Sequence, residues 1–226
     1  MRRKLLATIT ISLCLLLSAC GGGSNSKQEA KETKVDIATE QEKESTSEEE
    51  FKSKYDTLIT GIVLLNTYSD YCGATHSTIW NSVGVDDVAK YISYVREYGK
   101  EQSIGDSLIA KAYNVSPFNN SDLNKVKDYV EQYQTALEEI PTLREDLETQ
   151  YKELNESYGS DYNLSEIKDF YIESDSYAEY AINIDGSYIT YTQTLAEYQE
   201  SLKKLQKSAE LAYWNQKECK RLSVKG

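Results

Sequence analysis

Histidine occurs once in these 226 residues, at His76, and proline only twice, at Pro117 and Pro141. One imidazole with four cysteines and no Cys-x-x-Cys leaves no structural zinc site, since such sites draw four ligands from clustered Cys and His. It also leaves little for nucleophilic catalysis: no Gly-x-Ser-x-Gly elbow is present, and no Cys–His pair has a nucleophile's setting. Phosphate loops and dinucleotide fingerprints are absent. Asn183-Ile184-Asp185-Gly186 has the look of a calcium loop. An EF-hand in that register needs an oxygen ligand at 181 and Glu at 192, and the chain has Ala181 and Thr192. No run alternates apolar and polar residues as a half-buried strand does, so the chain also lacks the alternating strands of two-lobed α/β solute-binding proteins. The paired carboxylates carry no catalytic information, because acids are spread over every solvated face. These absences point away from an enzyme and from a protein with a metal or organic cofactor.

Basic residues are outnumbered, 25 against 37 acidic ones, for a net charge of −12. A chain of that sign is repelled by nucleic acid phosphates and by an anionic bilayer surface. Long hydrophobic runs are lacking too, apart from Leu5–Leu17, about 13 residues against the roughly 20 that a spanning helix needs.

That run follows Arg2, Arg3 and Lys4 and ends in Leu17-Ser18-Ala19-Cys20. Basic start, short apolar core and small residues at the end form the pattern of an export signal. The four residues resemble the lipobox of bacterial lipoproteins. The resemblance covers only the first twenty residues and implies an address rather than an activity. Signal peptidase II would cut between Ala19 and Cys20, and a diacylglyceryl group on the Cys20 thiol would anchor the chain to the outer face of the cell membrane. Two acyl chains, at about 0.8 kcal/mol per buried methylene, hold such an anchor stably. Abundant Lys, Asn and Tyr with few Pro point to a Gram-positive source. Loss of residues 1–19 removes three cations and no acids, taking the net charge from −12 to −15.

Residues 20–47 read as a lipid-anchored linker, with Gly21-Gly22-Gly23-Ser24-Asn25-Ser26 followed by Lys, Glu, Thr and Ser. So few apolar side chains cannot offset the entropy of ordering. A flexible chain of that length spans roughly 30 Å.

From residue 48 to 226 the pattern becomes helical. Ser47 with Glu50 fits a capping box. Phe51, Tyr55, Leu58, Ile62, Leu65, Cys72, Ile79 and Val83 then recur at spacings of three and four, with Ser69 and His76 in the same series. The spacing predicts a helix of about 36 residues ending at Asn81-Ser82-Val83-Gly84. Short helices are expected over 86–98 and 104–113, and a break over 114–120 around Ser116-Pro117. Ser121 is the expected cap of the next helix, whose seam runs from Leu123 to Tyr158. Pro141 should kink or split it, and Arg144 on the seam marks an irregularity. After Gly159-Ser160-Asp161, Asn163 and Glu166 offer a second capping box. The last seam, Ile167 to Cys219, keeps phase across Asp185-Gly186-Ser187. Continuous phase favours one bent helix and the Asp-Gly pair favours a hairpin; an interruption is the reading taken here. The expected fold is all-α, an antiparallel bundle of three to five long amphipathic helices in one domain, its core rich in Tyr, of which the chain has 19.

The mature chain keeps two thiols, Cys72 and Cys219, a candidate disulfide that would close a long loop and stabilise by roughly 4–5 kcal/mol. Both also fall on core seams, where a lone Cys acts as a small hydrophobe. His76 and Trp80, four apart on one helix face, are a candidate ligand platform; the alternative is a core Trp beside a hydrogen-bonded His. The functional expectation is a membrane-anchored extracytoplasmic lipoprotein whose bundle is a protein-interaction module with a protein partner and no nucleic acid. The alternative is a binding protein for a small extracellular ligand such as a peptide, glycan or aromatic compound.

Overall fold

The computed structural model describes the backbone of residues 32–223 and the side chains of residues 47–213. The signal segment, Cys20 and the glycine stretch lie outside the described residues. The chain divides into two units, Met1–Glu44 and Ser45–Gly226, and the fold below is that of the second.

Six helices occur among the described residues: α1 (Glu32–Val83), α2 (Val88–Glu97), α3 (Asp106–Ala112), α4 (Asn120–Tyr158), α5 (Ser165–Ile182) and α6 (Tyr188–Ser223). The fold is all-α. None of these helices is long and apolar enough to cross a membrane.

Contacts between the long helices fix their directions. Phe51 meets Tyr158, a Cβ on Gly61 would touch Leu147, and His76 meets Tyr133, so α1 and α4 are antiparallel. Tyr55 Oη donates to Ala209 O at 2.8 Å, and His76 reaches Tyr191, so α6 also runs against α1. Arg144 pairs with Asp175 and Tyr151 stacks on Tyr171, which makes α5 antiparallel to α4. α1 and α5 thus run one way and α4 and α6 the other. The short α2 and α3 fill the connection from α1 to α4.

The three-and-four spacing placed the core. Phe51, Tyr55, Leu58, Ile62, Leu65, Ser69, Cys72, His76 and Ile79 are all buried, as are Val126, Val130, Tyr133, Ile140, Leu147 and Leu154 on α4. Gly61 lets α1 approach α4: a Cβ there would sit 2.7 Å from a methyl of the buried Leu147, which would have to shift.

Four local expectations need correction. α1 starts at Glu32 rather than near Ser47, so part of the expected linker is helical and Ser47 caps nothing. The Glu, Lys, Gln and Ala of 32–46 are good helix formers, and extending a helix is far easier than nucleating one. The cap of α4 is Asn119, whose side chain accepts from the N–H groups of Ser121 and Asp122. At α5, Asn163 Oδ1 accepts from Ser165 N, but Leu164 is the capping position and makes no side-chain bond. Pro141 lies inside an unbroken α4. Burial of Ile140 and Leu147 on either side and the Arg144–Asp175 pair outweigh the roughly 3 kcal/mol a mid-helix proline costs.

The interruption at Asp185-Gly186-Ser187 is present. Gly186 takes φ +73°, a conformation open to glycine, and Ser187 Oγ accepts from Thr190 N to start α6.

Candidate functional site

His76 and Trp80 lie in the core and form no platform at the surface. His76 is 1 % exposed, and both ring nitrogens face tyrosine hydroxyls: Nε2 is 2.9 Å from Tyr133 and Nδ1 is 3.2 Å from Tyr191. Tyr191 Oη spends its proton on Ala181 O at 3.0 Å. It must therefore accept from Nδ1–H, which leaves Nε2 to accept from Tyr133. One tautomer satisfies the chain from α4 through α1 to α6. Burial, with the Arg96 charge second, pushes the imidazole down to about 4, so it is neutral. Trp80 is buried against Tyr188 and Tyr191. Burial makes Trp80 an anchor of the core.

Of the candidate bridge, the side chain of Cys72 alone is among those described. Cys72 is a free, buried thiol, pushed up to about 12 chiefly by burial. Its neighbour Gly73 packs on Leu195, and Cys219 lies about 24 residues farther along α6, about 36 Å away at 1.5 Å per residue. A disulfide needs Cα atoms within about 7 Å. The Cys219 side chain itself lies outside the described residues. Among those residues no group of acids, His and Cys is placed to hold a metal ion.

Two surface features carry more. The first is one end of the bundle. Topology brings three junctions to the end opposite Ser45: α1 to α2, α3 to α4 and α5 to α6. Each presents an apolar side chain. Phe118 is 92 % exposed, Val85 68 % and Ile189 65 %, the highest values among the large apolar residues described. Burying one such side chain is worth about 1.5–3 kcal/mol.

The second is a groove of about 480 Å³ between the C-terminal half of α1, the end of α3 and the start of α4. Tyr71 and Tyr129, both exposed, stand at its rim with Ala74 and Thr78. Its far wall is built by the way α3 ends. Asn114 takes φ +53°, Asn114 N bonds Lys111 O at 3.2 Å and Val115 N bonds Ala110 O at 2.9 Å. This is a Schellman closure with Asn in the left-handed position, and it holds Val115 into the groove opposite Val126. Tyr113, the residue before Asn114, turns inward beside Thr75. Its hydroxyl is sealed from solvent with no partner at hydrogen-bonding geometry, and burial pushes it up to about 12. A buried hydroxyl left in that state costs about 1–3 kcal/mol. No carboxylate, ammonium or guanidinium lines the groove.

The heptad seams hid this groove, because most of its lining, Val126 apart, lies off them. Tyr71, Ala74 and Thr78 are themselves spaced by three and four alongside the core series, a second, weaker stripe that could have been read.

No family model matches the chain, and no curated protein or solved structure is significantly similar to it.

Proposed function

We propose that this chain is a lipoprotein held through Cys20 on the outer face of a bacterial cell membrane, and that its bundle works by binding another protein. The contact face is the end that carries Val85, Phe118 and Ile189. The observation behind this reading is their exposure on three separate junctions at one end, where a folded monomer gains nothing from it. Ser45, where the second unit begins, lies at the opposite end of the bundle from these three side chains. The matching partner surface is apolar at its centre and basic at its rim, because the net charge, −15 once residues 1–19 are removed from the full chain's −12, favours positive partners and repels others.

The test is capture from intact cells after crosslinking, with wild type and a Phe118→Ser, Val85→Ser, Ile189→Ser variant as baits. These positions are exposed, so the variant keeps its melting temperature within a few degrees. Loss of the captured protein in the variant supports the reading; undiminished capture contradicts it. The anchor is tested separately by Cys20→Ala, which should move the chain from membranes to the medium.

A further inference from the structure

We infer that the groove between α1, the end of α3 and α4 is a separate site for a small uncharged ring compound that carries one hydrogen-bonding atom. The inference is independent of the interaction reading, since it concerns the side of the bundle rather than its apolar end. Three features define the ligand. The volume of about 480 Å³ lies in the range of small-molecule pockets and suits one or two rings. The lining offers side chains such as Ala74, Val115 and Val126 and no full charge, so an ionised ligand would be desolvated with nothing to compensate it. Among the residues lining the groove, Tyr113 Oη is the buried polar atom without a partner at hydrogen-bonding geometry, and Thr75 is the polar side chain beside it. A ligand oxygen or nitrogen that reaches it supplies the bond the empty groove lacks, and the Schellman closure at Asn114 holds the phenol ready to make it. Tyr71 and Tyr129 line the groove with their side chains at the surface, so it opens to solvent between them.

The probe is 2-naphthol, titrated by fluorescence against the mature chain, with naphthalene and naphthalene-2-sulfonate as comparisons. Saturable binding of 2-naphthol is expected, with the sulfonate at least tenfold weaker. Tyr113→Phe should weaken 2-naphthol about five- to tenfold and leave naphthalene unchanged. Ala74→Trp, at the exposed rim, should fill the groove and abolish binding of both without lowering the melting temperature. The inference is overturned if 2-naphthol does not saturate, if the sulfonate binds equally well, or if the folded Ala74→Trp variant binds as wild type does.

Discussion

The hydroxyl of Tyr133 on α4 lies 2.9 Å from Nε2 of His76 on α1, and the same imidazole reaches Tyr191 on α6 through Nδ1. One neutral side chain ties three helices together in the core.

Burial of that imidazole makes stability depend on pH. The imidazole is held down to about 4 in the fold against about 6.5 in the unfolded chain. Below 6.5 the unfolded chain takes up a proton that the folded one refuses. Stability is therefore whole above pH 6.5 and falls as the pH drops toward 4, by about 3 kcal/mol from this residue. His76→Phe is destabilised at pH 7 because both hydroxyls lose a partner, yet lacks that slope. Urea unfolding at pH 7 and pH 5 should show the gap between wild type and variant narrowing at pH 5. A constant gap would contradict the neutral, buried imidazole.

Arg144 sits where the heptad pattern called for an apolar residue, and it binds Asp175 through Nε at 2.5 Å and Nη2 at 2.8 Å. Both side chains are about two-thirds shielded, and two-point geometry strengthens the pair. A double-mutant cycle of Arg144→Met and Asp175→Ala should give a coupling of about 1–2 kcal/mol, falling in 1 M salt. A coupling below about 0.3 kcal/mol would mean that the pair does not brace α4 against α5.

Phe51 closes the bundle at the end where the chain joins, stacked 3.7 Å from Tyr162 and touching Tyr158 and Tyr213. Phe51→Ala should cost about 3–5 kcal/mol in chemical denaturation, as expected for a fully buried aromatic. A loss under 1 kcal/mol would place the start of the cooperative unit after this residue.

Cys72 should resist thiol reagents in the native protein, buried as it is with its thiol pushed up to about 12. In denaturant without reductant it should label fully. Failure to label there would show that Cys72 is bridged.

The long-range order of the fold was legible because a single period of three and four residues governs each seam, and burial follows it from Phe51 to Ile79 without an error. What the sequence concealed was local. Ser47 resembles a cap, but nothing in one sequence reveals that a stretch of helix formers before it continues the helix. Pro141 breaks helices on average, while here packing on both sides of it prevails. For the His76–Trp80 pair, helical spacing gives the shared face but not what covers it; α4 and α6 cover this one, so the alternative of a core Trp beside a hydrogen-bonded His holds. The exposed Phe118 and Val85 sit in junctions, where no periodicity exists to make an apolar residue stand out.

The most direct test of the interaction reading is site-specific photo-crosslinking on living cells, with a photoreactive residue placed at Phe118 and, as a control, at Lys152 on the half of α4 nearer the joining end. The account predicts one crosslinked protein from position 118, absent from position 152. No crosslink at 118, or the same products from both positions, would contradict it.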